Sequence, residues 1–437
     1  MSDPTLSLAA LAEQSGTKFI LALFVDLRGK PCAKLVPVEA VDLLATEGVG
    51  FAGYAVGAMG QEPKDPDLMA IPDPASFTPI PFIKDGLAIV HCDPHVNGEP
   101  WPYAPRVILK SLIQRAADAG YESWVGAEVE YFLLQRNSDG SLSVADAADT
   151  AAQPCYDARG VTRMYDHLTA ISAAMNTLGW SNYANDHEDG NGQFEQNFEY
   201  ADALTTADRV ITLRYILSMI AAERGMVATF MPKPFAEKTG SGLHLHLSLT
   251  SGGTPVFPAD DDARGLGLSD TAYAFIGGIL DHASALQAVV APTVNSYKRT
   301  GATTTASGAS WAPRTPTYGG NDRTHYIRVP DSARIELRGG DGSANPYLAI
   351  AAALGAGIDG VKRSANPGDI GAQSRSPLPP TLLHAVDEFE SDPLVTGVLD
   401  AAGDGVAGYF AGIKRDEFFA YHSSVTPWEI DSYLTAF

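Results

Sequence analysis

Three short segments carry ionisable side chains two residues apart inside apolar runs: Glu128-Val129-Glu130, His244-Leu245-His246 and Glu336-Leu337-Arg338. Side chains alternate along a β-strand, so each pair points to one face with its tips roughly 6–7 Å apart. The flanks are apolar (Trp124-Val125, Leu243 and Leu247, Ile335), and charged groups in such strands are rarely buried unless paired or bound to metal. One pair alone reads as a solvated strand face; three on the same parity read as one polar funnel lined by strands. A fourth cluster runs from His187 to Glu195, where Gly190 and Gly192 let the chain fold back and bring Glu188 and Glu195 toward the same centre. Glu128, Glu130, Glu188, Glu195, His244 and Glu336 then offer five carboxylates and one imidazole. That set suits Mg²⁺ or Mn²⁺, not zinc in a thiolate site, and without a cation the carboxylates would repel one another strongly. The acidic pairs would hold two ions farther apart than the ~3.5–4 Å of a shared-hydroxide hydrolase, a spacing suited to bridging successive phosphates of a nucleotide.

An arginine series follows: Arg299, Arg323, Arg328, Arg334 and Arg338, interleaved with Gly, Thr and apolar residues. A single arginine there reads as a surface residue. Five read as a clamp for phosphate and carboxylate, because guanidinium binds both bidentately. Metals plus arginines are the recurring parts of phosphoryl transfer, where charge stabilisation supplies most of the catalysis. No G-x-x-x-x-G-K-[ST] loop is present and no G-x-G-x-x-G follows a strand, so a different scaffold must hold the nucleotide.

The elements that must position these groups follow from apolar periodicity and turn chemistry. Phe19 to Asp26 and Lys34 to Val38 read as a hairpin across Gly29-Lys30-Pro31, and Leu87 to Asp93 as a strand closed by an Asn97-Gly98 turn. The proline-rich stretch Pro100 to Pro105 precedes an amphipathic helix that stops at Gly120, which places a domain boundary near residue 105: residues 1–105 and 106–437. Beyond it, strands are expected at Trp124–Leu134, Met226–Met231 and Leu243–Leu249. Helices are expected at Val161–Leu178, Ala203–Gly225, Thr271–Val289 and Pro346–Val361. Ser364 to Pro380 reads as a surface loop.

Length and composition fit that organisation: 437 residues, 45% of them hydrophobic, can bury a large core in two or three domains. A formal charge of −22 argues against a nucleic-acid partner and leaves any anionic substrate dependent on local metals or arginines. Met1 to Gly16 lacks the basic flank and apolar run of a signal peptide, and the apolar run Phe19–Val25 is too short to span a bilayer. Cys32, Cys92 and Cys155 form no C-x-x-C pair. The expectation is a cytoplasmic protein with reduced thiols and no membrane partner.

These residues resemble the glutamine synthetase superfamily over essentially the whole chain. The resemblance is carried by Asp93-Pro94-His95-Val96-Asn97-Gly98-Glu99-Pro100, Glu128-Val129-Glu130, Gly192-Gln193-Phe194-Glu195 and Gly240 to His246. It continues through Pro292 to Arg299, Asn321-Asp322-Arg323-Thr324, Arg334 to Arg338 and Ala344-Asn345-Pro346-Tyr347. It implies an α+β fold: an N-terminal β-grasp domain and a catalytic domain with a funnel-shaped antiparallel sheet. It also implies hexameric rings stacked as a dodecamer, each site completed by a neighbour's N-terminal domain. By motif, Glu130, Glu188 and Glu195 would hold one metal near the substrate, and Glu128, His244 and Glu336 a second on the nucleotide. His246, Ser248, Arg328 and Arg334 would contact ATP phosphates. Arg299, Arg338 and the Gly240 backbone would clamp glutamate, and Arg323 would stabilise the transferred phosphoryl group. The implied reaction forms γ-glutamyl phosphate from ATP, then an amine displaces phosphate.

Two departures fall on the amine side. Family members that use ammonium carry an F-D-G-S-S-like loop; here it reads Phe51-Ala52-Gly53-Tyr54-Ala55, with Ala52 in place of the Asp and Tyr54 in place of a small hydroxyl. The family's glutamate before Ala-Pro is Trp311, behind a Thr/Ser/Ala-rich insertion. Losing carboxylates weakens the hold on a small cation, whereas Trp and Tyr offer apolar and cation–π contact to an alkylammonium. The pattern resembles the branch of glutamate–methylamine ligases, with ammonia, another alkylamine or a polyamine as the open alternatives. Glu62, Asp65 and Asp67 are candidates for a replacement carboxylate, and a catalytically inactive structural member is the reading outside the ligases.

Overall fold

A computed structural model describes residues 6–302, 305–307 and 310–437. The first residues of the segment read for a signal peptide, and parts of the Thr/Ser/Ala-rich insertion (303–304, 308–309), lie outside the described residues.

The N-terminal sheet contains β1 (Phe19–Val25), β2 (Pro31–Pro37), β3 (Val49–Phe51), β4 (Leu68–Pro72) and β5 (Leu87–Val96), in the order β2-β1-β5-β4-β3. β1 and β5 run parallel at its centre and the other pairs along that order are antiparallel, the β-grasp arrangement. The β1–β2 turn is tighter than expected: Asp26 Oδ1 accepts from the amides of Arg28 and Lys30, and Pro31 already belongs to the strand. The Asn97-Gly98 turn forms as expected, both residues at positive φ (52° and 85°). Alternation along β1 splits its side chains between two cores. Ile20, Ala22 and Phe24 pack with the helices Leu8–Gln14 and Val41–Glu47; Leu23 and Val25 join the core of the larger domain.

That larger domain is built on β6 (Glu122–Arg136), β7 (Ala184–His187), β8 (Gln193–Asn197), β9 (Leu243–Ser251), β10 (Tyr318–Gly319), β11 (Ile327–Asp331) and β12 (Arg334–Leu337). Their order is β7-β8-β6-β9-β12-β11-β10, antiparallel except for the two-residue edge strand β10, which runs parallel to β11. Helices α1 (Pro105–Asp118), α2 (Ala203–Glu223) and α5 (Pro346–Arg363) pack into its core with Leu109, Leu112, Leu213, Leu217, Ile350 and Leu354.

Two expected helices are broken. Thr271–Val289 is α3 (Asp270–Asp281) and α4 (Ala283–Val290), bent by 74° at His282. The His282 ring is held there between Asp392 (2.6 Å) and Asp359 (3.4 Å), both from other elements. Val161–Leu178 begins earlier, at Ala158, capped by Asp157, and breaks at Met164, whose ψ of 15° leaves the helical range. Among the described residues no single helix is long and apolar enough to cross a membrane.

A buried ion cluster ties the two sheets together. Arg106, the second residue of α1, meets Asp73 and Asp93 (both 2.8 Å) from the N-terminal sheet region and Asp208 of α2 (3.0 Å). Asp208 also accepts from the Tyr347 hydroxyl at 2.6 Å. Three carboxylates stay together because the donors of the Arg106 fork are individually matched and Lys110 adds a second cation, 2.6 Å from Asp93.

Candidate active site

Directly opposed residues in antiparallel strands share a face, and the register of this sheet lines up the ionisable residues across it. Asp186 of β7 stands opposite Glu195 of β8, and Glu195 opposite Glu130 of β6. Two residues back along β6, Glu128 stands opposite His244 of β9; His246 then faces Glu336 of β12, which faces Arg328 of β11. The alternating residues Val129, Phe194, Leu245, Ile335 and Leu337 fall on the other face and are buried. The three i, i+2 pairs thus converge as their spacing predicts, with one adjustment: Arg338 lies one residue past the end of β12.

The polar face encloses a cavity of about 480 Å³. Glu128, Glu130, Glu188, Glu195, His244 and His246 line it, with Gly240 and the arginines 299, 323, 328, 334 and 338. Glu336 lies just beneath, fully buried, its carboxylate gripped by Arg338 (2.5 Å) and Arg328 (2.6 Å). His244 occupies the centre, 3.1 Å from Glu128, 3.5 Å from Glu336 and 3.8 Å from Glu130.

Among the described residues, two sets of three donors have ligand atoms within 4.8 Å of one another: Glu128, His244 and Glu336, and Glu130, Glu195 and His244. The first is the triad implied for the nucleotide-side ion. In the second His244 stands where the resemblance put Glu188, and Glu188 lines the cavity outside both sets. The donors fit a hard divalent cation, being carboxylates and an imidazole. So does the backbone. A Cβ on Gly242 would lie 2.6 Å from His244 Nε2 and 3.0 Å from Glu130 Oε1, so only glycine leaves the space between these donors open.

The electrostatics differ across the cavity. Burial disfavours charge on Glu128, but hydrogen bonds from His244 and His246 outweigh it and hold the carboxyl well below its usual range. At Glu336 burial is likewise overcome, by His244 and Arg338, and the pKa is lowered. Glu188 and Glu195 go the other way. Burial, then repulsion from neighbouring carboxylates, pushes Glu188 up to about 8 and Glu195 well above the ordinary range.

On the arginine side, burial lowers Arg299, and Asp341 and Glu130 oppose that. Among the described residues, Arg299 Nη1 and Arg338 Nε are buried without a hydrogen-bond partner, an arrangement suited to an anion. A Cβ on Gly240 would lie 2.7 Å from Arg299 Cγ, so the backbone there passes close along the guanidinium arm. Arg334 donates to His246 Nδ1 at 3.1 Å and pairs with Asp331 at 2.9 Å.

Trp311 lines the cavity and is 46% exposed. Ala52 and Tyr54 flank the start of the short helix Gly53–Val56, are exposed, and do not line this chain's own cavity; neither do Glu62, Asp65 and Asp67. Ser248 continues the parity of His244 and His246 but also lies outside the lining. Several lining residues were not anticipated: Asp186, Asp189, Asn197, Lys233, Cys155 and Tyr156. Asp186 and Asn197 carried a signal, since each stands two residues from an acid already singled out. Burial raises Asp186, Glu128 adding to it, and Asn197 donates to Glu195 at 2.9 Å. Ser307 donates to Asp189 at 2.6 Å, bringing the segment before Trp311 onto the β7–β8 turn.

Residues 102–433 match the family model of the glutamine synthetase catalytic domain. The chain belongs to the glutamine synthetase family, whose members are ATP-dependent ligases. It is 43% identical to a glutamine synthetase of Rhizobium leguminosarum bv. phaseoli, over 98% of this chain and 99% of the relative. It is 39% identical to a glutamate–methylamine ligase of Methyloversatilis universalis, over 97% and 98%. A solved structure of GmaS in complex with ADP superposes with a TM-score of 0.92 at 46% identity, covering 99% of this chain and 100% of that one.

Proposed function

We propose that this chain uses ATP to join glutamate to methylamine through a γ-glutamyl phosphate. The observation that carries the reading is one cavity with an acidic wall, an arginine wall, and Trp311 on the side where the ammonium-using family pattern has a carboxylate. Two relatives support it, the glutamate–methylamine ligase at 39% identity and GmaS at 46%.

In this reading Glu130, Glu188 and Glu195 hold one divalent ion near glutamate, and Glu128, His244 and Glu336 hold a second near the nucleotide. Mg²⁺ or Mn²⁺ there would neutralise phosphate charge during transfer. His246, Ser248, Arg328 and Arg334 bind the ATP phosphates. Arg299, Arg338 and the Gly240 backbone orient glutamate so that a γ-carboxylate oxygen attacks the terminal phosphorus and ADP leaves. Arg323 meets the charge on the transferred group. The amine nitrogen then attacks the activated carbonyl carbon and phosphate leaves. Asp186, half-buried and lining the cavity two residues before Glu188, holds the alkylammonium and takes its proton. Ala52 and Tyr54 act on a neighbouring subunit's site, in hexameric rings stacked as a dodecamer. The β-grasp unit 1–105 and catalytic unit 106–437 act in the cytoplasm.

The test is kcat/KM for methylamine and for ammonia with saturating ATP and glutamate. A clear methylamine preference is expected, with the product identified as the N-methyl amide by mass spectrometry. The second reading, amide formation from ammonia, has the name of the relative at 43% identity in its favour, and an ammonia preference would establish it.

A further inference from the structure

Beneath the acidic wall lies a pair that none of these roles uses. Asp149 and His187 are 4% and 0% exposed, and Asp149 Oδ2 meets His187 Nε2 at 2.8 Å. The contacts of the pair run to the turn between β7 and β8. Asp149 accepts from the Gly192 amide at 2.6 Å and from the Asn191 side chain at 3.1 Å; His187 Nδ1 contacts the Glu188 carbonyl at 2.7 Å. The turn is thus gripped at both ends, Glu188 at its start and Gly192 (φ 79°) at its finish. The same anchor reaches a second piece of the cavity wall. The Tyr156 amide donates to the His187 carbonyl at 2.8 Å and holds Tyr156 at φ 61°, a conformation costly for a residue with a Cβ. Only glycine fits against the ring on its open side, since a Cβ on Gly160 would lie 2.5 Å from His187 Cδ2.

We propose that Asp149 and His187 are positioning residues that fix the backbone of Glu188, and so aim its carboxylate at the cation, while locking Tyr156 into the cavity wall. A buried carboxylate–histidine pair bonded to the backbone of a ligand residue does for that residue what an outer-shell carboxylate does for a metal-bound imidazole: it removes alternative orientations before the ion arrives. The inference rests on the reading of Glu188 as a ligand.

The test is Mn²⁺ binding to the full-length protein without substrates, measured by calorimetry and by the electron paramagnetic resonance of free Mn²⁺. In Asp149→Asn a single acceptor oxygen replaces two, and Mn²⁺ affinity is expected to fall about 10-fold or more, the usual range for such partners being about 10–100-fold. The half-saturating Mn²⁺ concentration for turnover should rise in parallel, with kcat recovered at excess Mn²⁺. A purely structural role would lower the folded fraction and leave that half-saturation unmoved. A folded Asp149→Asn with the wild-type Mn²⁺ isotherm overturns the proposal. If that variant does not fold, Asn191→Ala removes one of the turn's bonds to Asp149, along with its bonds to the Ala151 carbonyl and from Lys238, and should weaken Mn²⁺ by about threefold or more; an unchanged isotherm there overturns it equally. Glu188→Gln distinguishes the two levels. If it leaves Mn²⁺ binding intact, the ligand reading of Glu188 fails; if it weakens binding and Asp149→Asn does not, the positioning role alone fails.

Discussion

Glu128 and Glu336 share their part of the cavity with two histidines and two arginines, whereas Glu188 and Glu195 face chiefly other carboxylates. The first pair is held ionised by the protein itself: hydrogen bonds from His244 and His246 more than offset burial at Glu128, and His244 and Arg338 do so at Glu336. The second pair is driven toward the protonated form by burial and by repulsion from neighbouring carboxylates. A cation entering the first group displaces existing partners; one entering the second supplies the charge that lets the carboxylates ionise at all. In the proposed reading, the nucleotide side is therefore preorganised and the substrate side is completed on binding.

The strongest way to break this contrast is to remove the residue that belongs to the substrate side yet stands beside His244. Glu130 accepts from the Gly242 amide at 2.8 Å and from Gln193 at 3.0 Å. Glu130→Ala is expected to lower ATP-dependent phosphate release by about 10³-fold or more, the scale of losing charge stabilisation in phosphoryl transfer; normal turnover would remove it from the site. Next in size is Asp186→Asn. General-base contributions run to about 10²–10⁴-fold, so amide formation should fall by at least about 10² while glutamate-dependent ADP release persists as the acyl phosphate hydrolyses. Equal loss of both activities would place Asp186 with the phosphoryl-transfer groups.

A smaller effect sharpens the comparison through pH. Because Glu188 is pushed up to about 8 by burial and neighbouring carboxylates, it carries a proton at pH 7 without metal, and Mn²⁺ binding must expel it; Glu195 is shifted in the same direction. Calorimetry in buffers of different ionisation enthalpy should report proton release at pH 7 that falls by about one per protein in Glu188→Gln. Affinity should rise with pH up to about 8. Absence of proton release would mean the substrate-side carboxylates are already ionised and the two sides are alike.

The contrast also marks what was legible in the sequence. The paired acids and histidines were readable because strand parity is local: Glu128 and Glu130, or His244 and His246, share a face whatever the rest of the chain does. Asp186 follows the same rule but was passed over, because the segment from His187 to Glu195 reads as one glycine-rich loop and not as a hairpin whose first strand begins at Ala184. Asp149 could not be found that way, since its partner His187 lies 38 residues away and nothing in either neighbourhood announces the contact. The contacts at the His282 bend were hidden for the same reason: Asp359 and Asp392 come from later in the chain. The acid side could be read because adjacent strands build it. Ala52 and Tyr54 could not be placed that way, because they do not line this chain's own cavity.

The last prediction concerns stability without metal, where the two sides should differ in sign. Glu188 has a folded-state pKa of about 8 against an ordinary value of 4.5. The folded protein therefore binds this proton more tightly than the unfolded chain does. Its contribution to stability is fully present below about pH 4.5 and is lost as pH rises through about 8. Glu188→Gln cannot ionise, so it escapes that loss. At pH 8.5 in chelator the variant should be more stable than wild type by about 1–3 kcal/mol, a few degrees in Tm, with the advantage vanishing near pH 4.5. Glu128→Gln should do the reverse. Its carboxyl is depressed in the fold, so its contribution is present above the unfolded pKa, and the substitution should destabilise the metal-free protein at neutral pH and above. Thermal melts of the two variants across pH, with and without Mn²⁺, read both signs in one experiment. If both shift Tm the same way in chelator, the two walls of the cavity are not electrostatic opposites. If Mn²⁺ leaves the Glu188→Gln advantage in place at pH 8.5, the cation does not relieve the repulsion there.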